Sequence, residues 1–288
     1  MIIVDYSGIA ISSVVVQKLD IEENMIRHFI LNTLRMYNKK FRKEYGRMVI
    51  ACDSSTWRRE YFPNYKYKRR EGREKDEVEK ANWQEIFRII SLIRDELDQH
   101  SPYDVIKVDG AEADDIIGAL AINTQEFGQH EPVMIVSADK DFVQLQKYKN
   151  VKQYTPIQKK FVTEKNPNTY LFEHVLKGDS GDGVPNVLSG DNVFAEGIRQ
   201  SPVTRKKIDY WTENAQDLKS VMEPEVYRNY VRNKKLIDLE EIPIDLRDNI
   251  LSIFNEKSDE DKPKQYAFMK YLMSKRCKNL ISDIGDFY

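Results

Sequence analysis

The chain has 288 residues, enough for one large domain or a domain with a smaller companion. Charged residues make up 32% of it, yet 45 lysines and arginines against 47 aspartates and glutamates leave a net charge of only −2. That balance excludes whole-protein steering toward nucleic acid, so any such affinity has to reside in local patches.

Residues 1–4 read as a strand, ended by Asp5. Met25, Phe29, Ile30, Leu34, Tyr37 and Phe41 recur at helical steps, predicting an amphipathic helix over about 22–43 that Gly46 closes. A second apolar strand, Met48–Cys52, ends in Asp53. After a basic, aromatic stretch, Ile86, Ile90, Ile93 and Leu97 mark another helix, and residues 103–108 a third strand. Glu112, Ala113, Asp114 and Asp115 then open a helix through Ile116, Ile117, Leu120 and Ala121. Residues 133–136 are four consecutive apolar residues, followed by Ser137, Asp139 and Asp141, before a helical pattern starts at Phe142. Doubly buried strands alternating with helices predict an α/β fold with a mostly parallel central sheet flanked by helices. Short edge strands are expected at 151–154 and 161–162. From Thr169 onward, helices joined by polar loops predict a smaller helical part, so the expected division is 1–165 and 166–288. A glycine-rich loop occupies 177–186, and 256–264 reads as a solvated, charge-rich linker. No apolar run approaches a membrane span, and no leader precedes the first strand. Cys52 and Cys277 have neither metal-site nor disulfide spacing, which suits a reducing cytoplasm.

Asp5, Asp53, Glu112, Asp114, Asp139, Asp141, Asp179 and Asp182 lie at strand ends or in the glycine-rich loop. In a parallel sheet the first six converge on one edge, where ligands collect in open α/β sheets. Two like charges about 5 Å apart repel by roughly 3 kcal/mol at an effective dielectric near 20. Such a set therefore calls for a cation, and oxygen ligands without histidine or cysteine select magnesium or manganese over zinc. The acids outnumber the needs of one octahedral ion. Two ions about 4 Å apart could activate a water and stabilise a leaving oxygen in phosphodiester cleavage. Residues 57–70, directly after Asp53, hold six cations and five aromatics. Arg58, Arg59, Tyr65, Lys66, Lys68, Arg69 and Arg70 combine charges for a phosphate backbone with rings for stacking, the recipe for single strands. A haloacid-dehalogenase-type phosphatase needs an acid where Ser7 stands. An adhesion-type metal-dependent binding module needs no basic stretch after its second strand, and a PIN-type ribonuclease shares the acid layout without that stretch or the glycine-rich loop.

Taken in order, Ile3-Val4-Asp5, Cys52-Asp53, Tyr65-Lys66-Tyr67-Lys68-Arg69, Glu112-Ala113-Asp114-Asp115, Ser137-Ala138-Asp139-Lys140-Asp141 and Gly178-Asp179-Ser180-Gly181-Asp182 resemble the 5′-nuclease superfamily of flap endonucleases and 5′→3′ exonucleases, and within it the ribonucleases H of T-even phages. The resemblance implies a PIN-like core with a helical arch at about 57–80, and a C-terminal helical duplex-binding domain containing a helix–three-turn–helix. It implies a Mg2+-dependent 5′→3′ exonuclease and 5′-flap endonuclease acting on RNA/DNA and DNA/DNA duplexes, which removes RNA primers during phage replication in the host cytoplasm. Two Mg2+ ions, replaceable by Mn2+, are implied. Asp5, Asp53, Glu112, Asp114 and Asp139 surround the first; Asp141 and Asp182, with Asp179 behind, hold the second, and Asp115 supports them. Lys66 and Arg69 would reach the scissile phosphate, making them catalytic together with Asp114 and Asp139. Gly181 and Gly183 would touch the duplex, and a potassium ion is implied in that motif. The chain departs from the pattern at 187–200, an extended insert where a short glycine-rich segment is usual. The next helix is expected to restart at Ser201-Pro202, with Arg205, Lys206 and Lys207 facing phosphate. The implied protein is a monomer working beside single-strand-binding protein or a sliding clamp, although an N-terminal clamp-binding arm is missing.

Overall fold

The computed structural model describes residues 1–15, 22–73 and 77–288, the side chains of Ser13, Val15, Arg70, Arg73, Glu77, Glu79 and Phe127 excepted. In chain order the first part comprises β1 (Ile2–Asp5), α1 (Tyr6–Val15), α2 (Glu23–Tyr45), β2 (Met48–Cys52), α3 (Arg58–Tyr61), α4 (Tyr67–Arg73), α5 (Glu77–His100), β3 (Asp104–Lys107), α6 (Ala113–Asn123), β4 (Val133–Val136), β5 (Val151–Thr155) and β6 (Lys160–Val162). The second part comprises α7 (Pro167–Lys177), α8 (Arg205–Glu213), α9 (Leu218–Val221), α10 (Pro224–Ile237), α11 (Ile244–Asp259) and α12 (Gln265–Ser274).

The strands form one sheet in the order β3-β2-β1-β4-β5-β6, parallel except for the β5–β6 hairpin. In β1, Val4 stands beside Ile50 on one side and Val136 on the other. The chain winds outward from β1 through β2 to β3, then crosses back to β4. The crevice between β1 and β4 is therefore the topological switch point, where an open α/β sheet binds ligands.

Alternation along each strand divides the core into two layers. Ile2, Val4, Met48, Ile50, Met134 and Val136 face α1, α2 and α5, whereas Ile3, Val49, Ala51, Ile106, Val133 and Ile135 face α6. Each fully buried aliphatic contributes about 1.5–3 kcal/mol, so these doubly covered strands anchor the acids at their ends. Helices after residue 165 serve two places. Leu176, Ile208, Trp211 and Leu218 make a separate apolar cluster of α7 to α9. Ile250 and Phe254 of α11 and Phe268, Tyr271 and Leu272 of α12 return to the two layers of the main core.

Three local expectations are corrected. Residues Asp141–Lys147 form a 3-10 turn rather than an α-helix. The buried amide of Gln144 donates to Ile237 O and accepts Leu239 N–H, which pins the turn to the chain after α10. Helix α8 starts at Arg205 with Thr204 as its N-cap, not at Ser201, because Ser201 N–H is held by Ser189 Oγ and its carbonyl by Asn186. The stretch 256–264 is no solvated linker: α11 runs to Asp259, and Lys257 and Lys262 bind Asp98 and Asp104, each at 2.8 Å.

Candidate metal and nucleic-acid site

Asp5 ends β1 in the switch-point crevice. Its Oδ1 accepts Gly8 N–H at 2.8 Å and its Oδ2 accepts the Ser137 hydroxyl at 3.1 Å, so the acid is clamped from both sides of the crevice. A Cβ on Gly8 would lie 2.5 Å from Asp5 Oδ2, which is why a glycine follows the strand here. Asp139 N–H donates to the same Ser137 hydroxyl, and Asp141 N–H to Asp139 Oδ1, so one short turn aims both acids. Asp53 Oδ1 accepts Ala113 N–H at 2.8 Å, bringing the end of β2 to the start of α6. Burial pushes Asp5 up to about 6, with Asp53 and Asp139 adding to it against the Gly8 hydrogen bond. Burial also raises Asp114 well above the carboxylate range; Lys66 opposes this, while Asp139, Asp5 and Glu112 add to it. The fold leaves this edge short of positive charge.

The arch base closes one flank. Glu112 caps α6, and Asp115 three residues on accepts Glu112 N–H at 2.9 Å, a reciprocal box. Around Glu112 gather Thr56 Oγ1 at 3.0 Å, Arg58 Nη1 at 3.1 Å and Lys66 Nζ at 2.6 Å. The Tyr65 hydroxyl donates to Asp182 Oδ2 at 2.9 Å and stands 3.1 Å from Glu112 Oε2. Burial works against the Glu112 charge, but Lys66 and Arg58 outweigh it and hold its carboxyl below the usual range. Lys66 has φ 55° and its N–H donates to Asp182 O at 2.7 Å. Such a left-handed non-glycine residue costs about 1–3 kcal/mol and is typical of functional sites. Opposite it, Gly183 has φ +74°, and a Cβ there would meet Asn64 O at 2.9 Å. Arch base and glycine loop thus meet backbone to backbone.

The other flank is the 178–186 loop. Asp179 Oδ1 accepts Gly181 and Asp182 N–H groups at 2.7 and 3.1 Å. Burial opposes its charge, yet His174 and those N–H groups bring it down to about 2. Asp182 meets Arg69 Nη2 at 2.6 Å; burial nevertheless raises its pKa, with Lys66 and Arg69 opposing. Asp141 is pushed up to about 7 by burial and by Asp139, with His174 opposing. His174, on the last turn of α7, stands between Asp141 and Asp179 and escaped the sequence reading, since a lone histidine shows no ligand spacing. Its only signal is its place four residues ahead of Gly178.

The eight acids thus lie along one edge and its loop flank, but the expected nucleic-acid residues scatter. Arg58 is corrected: it is 3% exposed, with Nη1 on Asp115 as well as Glu112 and Nε on Leu236 O at 2.9 Å, so it cannot meet phosphate. Tyr65 is corrected too, because its ring is buried with Phe62, Val175, Val184 and Leu236 and is closed to stacking. Gly183 is buried against Asn64, whereas Gly181 is exposed. Arg59, Lys66 and Arg69 line a cleft of about 250 Å³ with Asp53, Glu112 and the unforeseen Arg94 of α5. Lys68 is exposed and its ammonium lies 4.9 Å from the Phe194 ring centroid; the Arg70 side chain lies outside the described residues. Arg205, Lys206 and Lys207 are exposed on α8, with Arg205 paired to Glu173 and Asp209. The 187–200 insert braces the arch base: Asn64 Nδ2 donates to Asp191 O at 3.0 Å, and Asp191 is held by Arg228 and Arg232 of α10.

Known proteins are similar to this chain in sequence and fold. The family model for the 5′–3′ exonuclease N-terminal resolvase-like domain matches residues 3–173, and that for the T4 RNase H C-terminal region matches 166–287. The chain is 32% identical over 298 aligned positions to the ribonuclease H of Enterobacteria phage T4, covering 99% of this chain and 95% of that one. It is 30% identical over 168 positions to a 5′–3′ exonuclease of Buchnera aphidicola, covering 55% and 53%. Among solved structures, a bacteriophage T5 flap endonuclease variant in a pseudo-enzyme–product complex with DNA and metal ions has the same fold, with TM-score 0.63 at 18% identity over 90% of this chain and 99% of that one. A T5 5′-exonuclease with bound zinc gives TM-score 0.61 at the same identity and coverage.

Proposed function

The chain belongs to the 5′–3′ exonuclease family, and we propose that this nuclease is a magnesium-dependent 5′→3′ exonuclease and 5′-flap endonuclease. Its substrates on this reading are RNA/DNA and DNA/DNA duplexes with 5′ single-stranded ends, and its task is removal of RNA primers in phage replication, beside single-strand-binding and clamp proteins. The observation that carries the reading is the meeting of under-neutralised acids at the switch point with Lys66 and Arg69 entering from the arch base.

The donor set fits hard divalent cations, being oxygen-rich and short of positive charge. Asp5, Asp53, Glu112, Asp114 and Asp139 would hold one ion; Asp141 and Asp182, with Asp179 behind, a second. Bound there, such ions supply an activated water and neutralise the leaving oxygen. The chain's own residues do the rest. Arg58 and Asp115 fix Glu112, and Tyr65 fixes Asp182. Lys66 and Arg69 present cations to the scissile phosphate, while Arg59 and Arg94 flank the path of the 5′ strand. The 178–186 loop, with the potassium ion expected in it, and the cations of α8 would face the duplex.

A 5′-labelled flap on a duplex tests this. Cleavage is expected with magnesium and not with chelator, and a bulky 5′ block should suppress it while a 3′ block should not. Asp114→Asn should lower turnover by orders of magnitude while DNA binding persists. Degradation from the 3′ end, or full activity in that variant, would overturn the proposal.

A further inference from the structure

The sequence led to an all-oxygen metal edge, and His174 breaks that expectation. One ligand atom each from Asp141, His174 and Asp179 lie within 4.8 Å of one another. His174 Nδ1 is 3.5 Å from Asp141 Oδ1, and its Nε2 is 3.7 Å from Asp179 Oδ2. The first gap is near the spacing of two ligands on one ion, about 3 Å or more when each is about 2.1 Å from it, and the second needs a closure of about half an ångström to become a hydrogen bond. The two carboxylates are not equivalent. Asp179 is anchored through Oδ1 by two backbone N–H groups, so its Oδ2 is fixed toward Nε2. The Asp141 carboxylate accepts no hydrogen bond among the described residues, although its own N–H is engaged by Asp139.

We infer that His174 is a ligand of the ion held by Asp141, binding through Nδ1 while Nε2–H donates to Asp179. A metal-bound imidazole commonly gives its second N–H to a carboxylate that fixes tautomer and ring orientation, and Asp179 is built for that part. One of the two ion positions is then a mixed nitrogen–oxygen site. Imidazole favours manganese and the later divalent metals over magnesium, so the position should discriminate less strictly for magnesium than carboxylates alone would.

This inference rests on the metal-dependent reading above, and a binding experiment separates the two. Mn2+ alone is added to the full chain, and electron spin-echo modulation reports nitrogen bonded to the metal. Bound Mn2+ should show 14N modulation that converts to a 15N pattern when histidine is labelled. The pattern should vanish in His174→Gln, whose preference for Mn2+ over Mg2+ in competition should fall about tenfold. The label marks all four histidines, so His28→Gln, His100→Gln and His130→Gln serve as controls: each should keep the coupling, and if His174→Gln folds poorly, coupling that survives all three assigns the nitrogen to His174. Bound Mn2+ without nitrogen coupling would overturn the role of His174 and leave the metal edge standing. Absence of Mn2+ binding would overturn both.

Discussion

Arg58 and Lys66 belong to one basic stretch and both reach Glu112, yet they end in opposite circumstances. Arg58 opens α3 and turns inward, where Glu112, Asp115 and the Leu236 carbonyl take its guanidinium. Lys66 comes after the chain has turned back. It sits on the rim of the cleft, in strained backbone, with Glu112 at 2.6 Å and Asp182 at 3.6 Å. The same charge is structural where its partners enclose it and available to a phosphate where they leave one side open. Composition cannot separate the two cases; what packs over each residue does.

The sharpest break of that comparison is stability. Arg58→Ala would leave Asp115, itself buried, without its cation, and breaking a buried pair costs about 3–5 kcal/mol. Denaturant unfolding should show that loss. An Arg58→Ala protein as stable as the parent but weak in DNA binding would restore Arg58 to the surface role first expected of it. Lys66→Ala should show the converse pattern. Removing one stabiliser of transition-state charge costs about 3 kcal/mol, roughly a hundredfold in kcat, with little change in unfolding. Saturating substrate should not rescue it. If more substrate restores the rate, Lys66 docks the strand and does no more.

Asp5, Asp53, Asp139 and Asp141 were legible because they follow apolar strands, and parallel pairing forces such ends onto one edge; Glu112 and Asp114 were read from the start of α6, and Asp179 and Asp182 from the glycine-rich loop. The crevice between Asp5 and Ser137 was not legible: β–α alternation gives parallel pairing, but it does not fix the strand order that sets β4 beside β1. The cations were not legible for a physical reason. Tyr65 is covered by Val175, Val184, Leu236 and Ile237, and Arg58 is held by the Leu236 carbonyl, residues brought in from the second half of the chain, and no local pattern announces that cover. The 187–200 insert was read only as a departure, since its contact with Asn64 is equally non-local. Helix α1 was missed because Ile9, Ala10 and Val14 are interrupted by polar positions. His174 was missed because one histidine among carboxylates has no spacing to read.

Arg59 gives the smallest and most selective test of the comparison. It neighbours Arg58 in sequence but stays exposed and lines the cleft with Lys66 and Arg69. Its loss should neither unfold the protein nor slow chemistry. A cation lying along a single strand releases the counterions of about one phosphate, worth roughly 0.7 in the slope of log affinity against log salt. Arg59→Ala should flatten the slope by that amount, weaken binding alike for every sequence, and leave kcat intact at saturation. Lys68→Ala should flatten it less, because that ammonium already lies over Phe194. If the Arg59 slope is unchanged, the 5′ strand does not run along this wall of the cleft. Its path would then have to follow Arg94 on the α5 side, and the same titration of Arg94→Ala would show it.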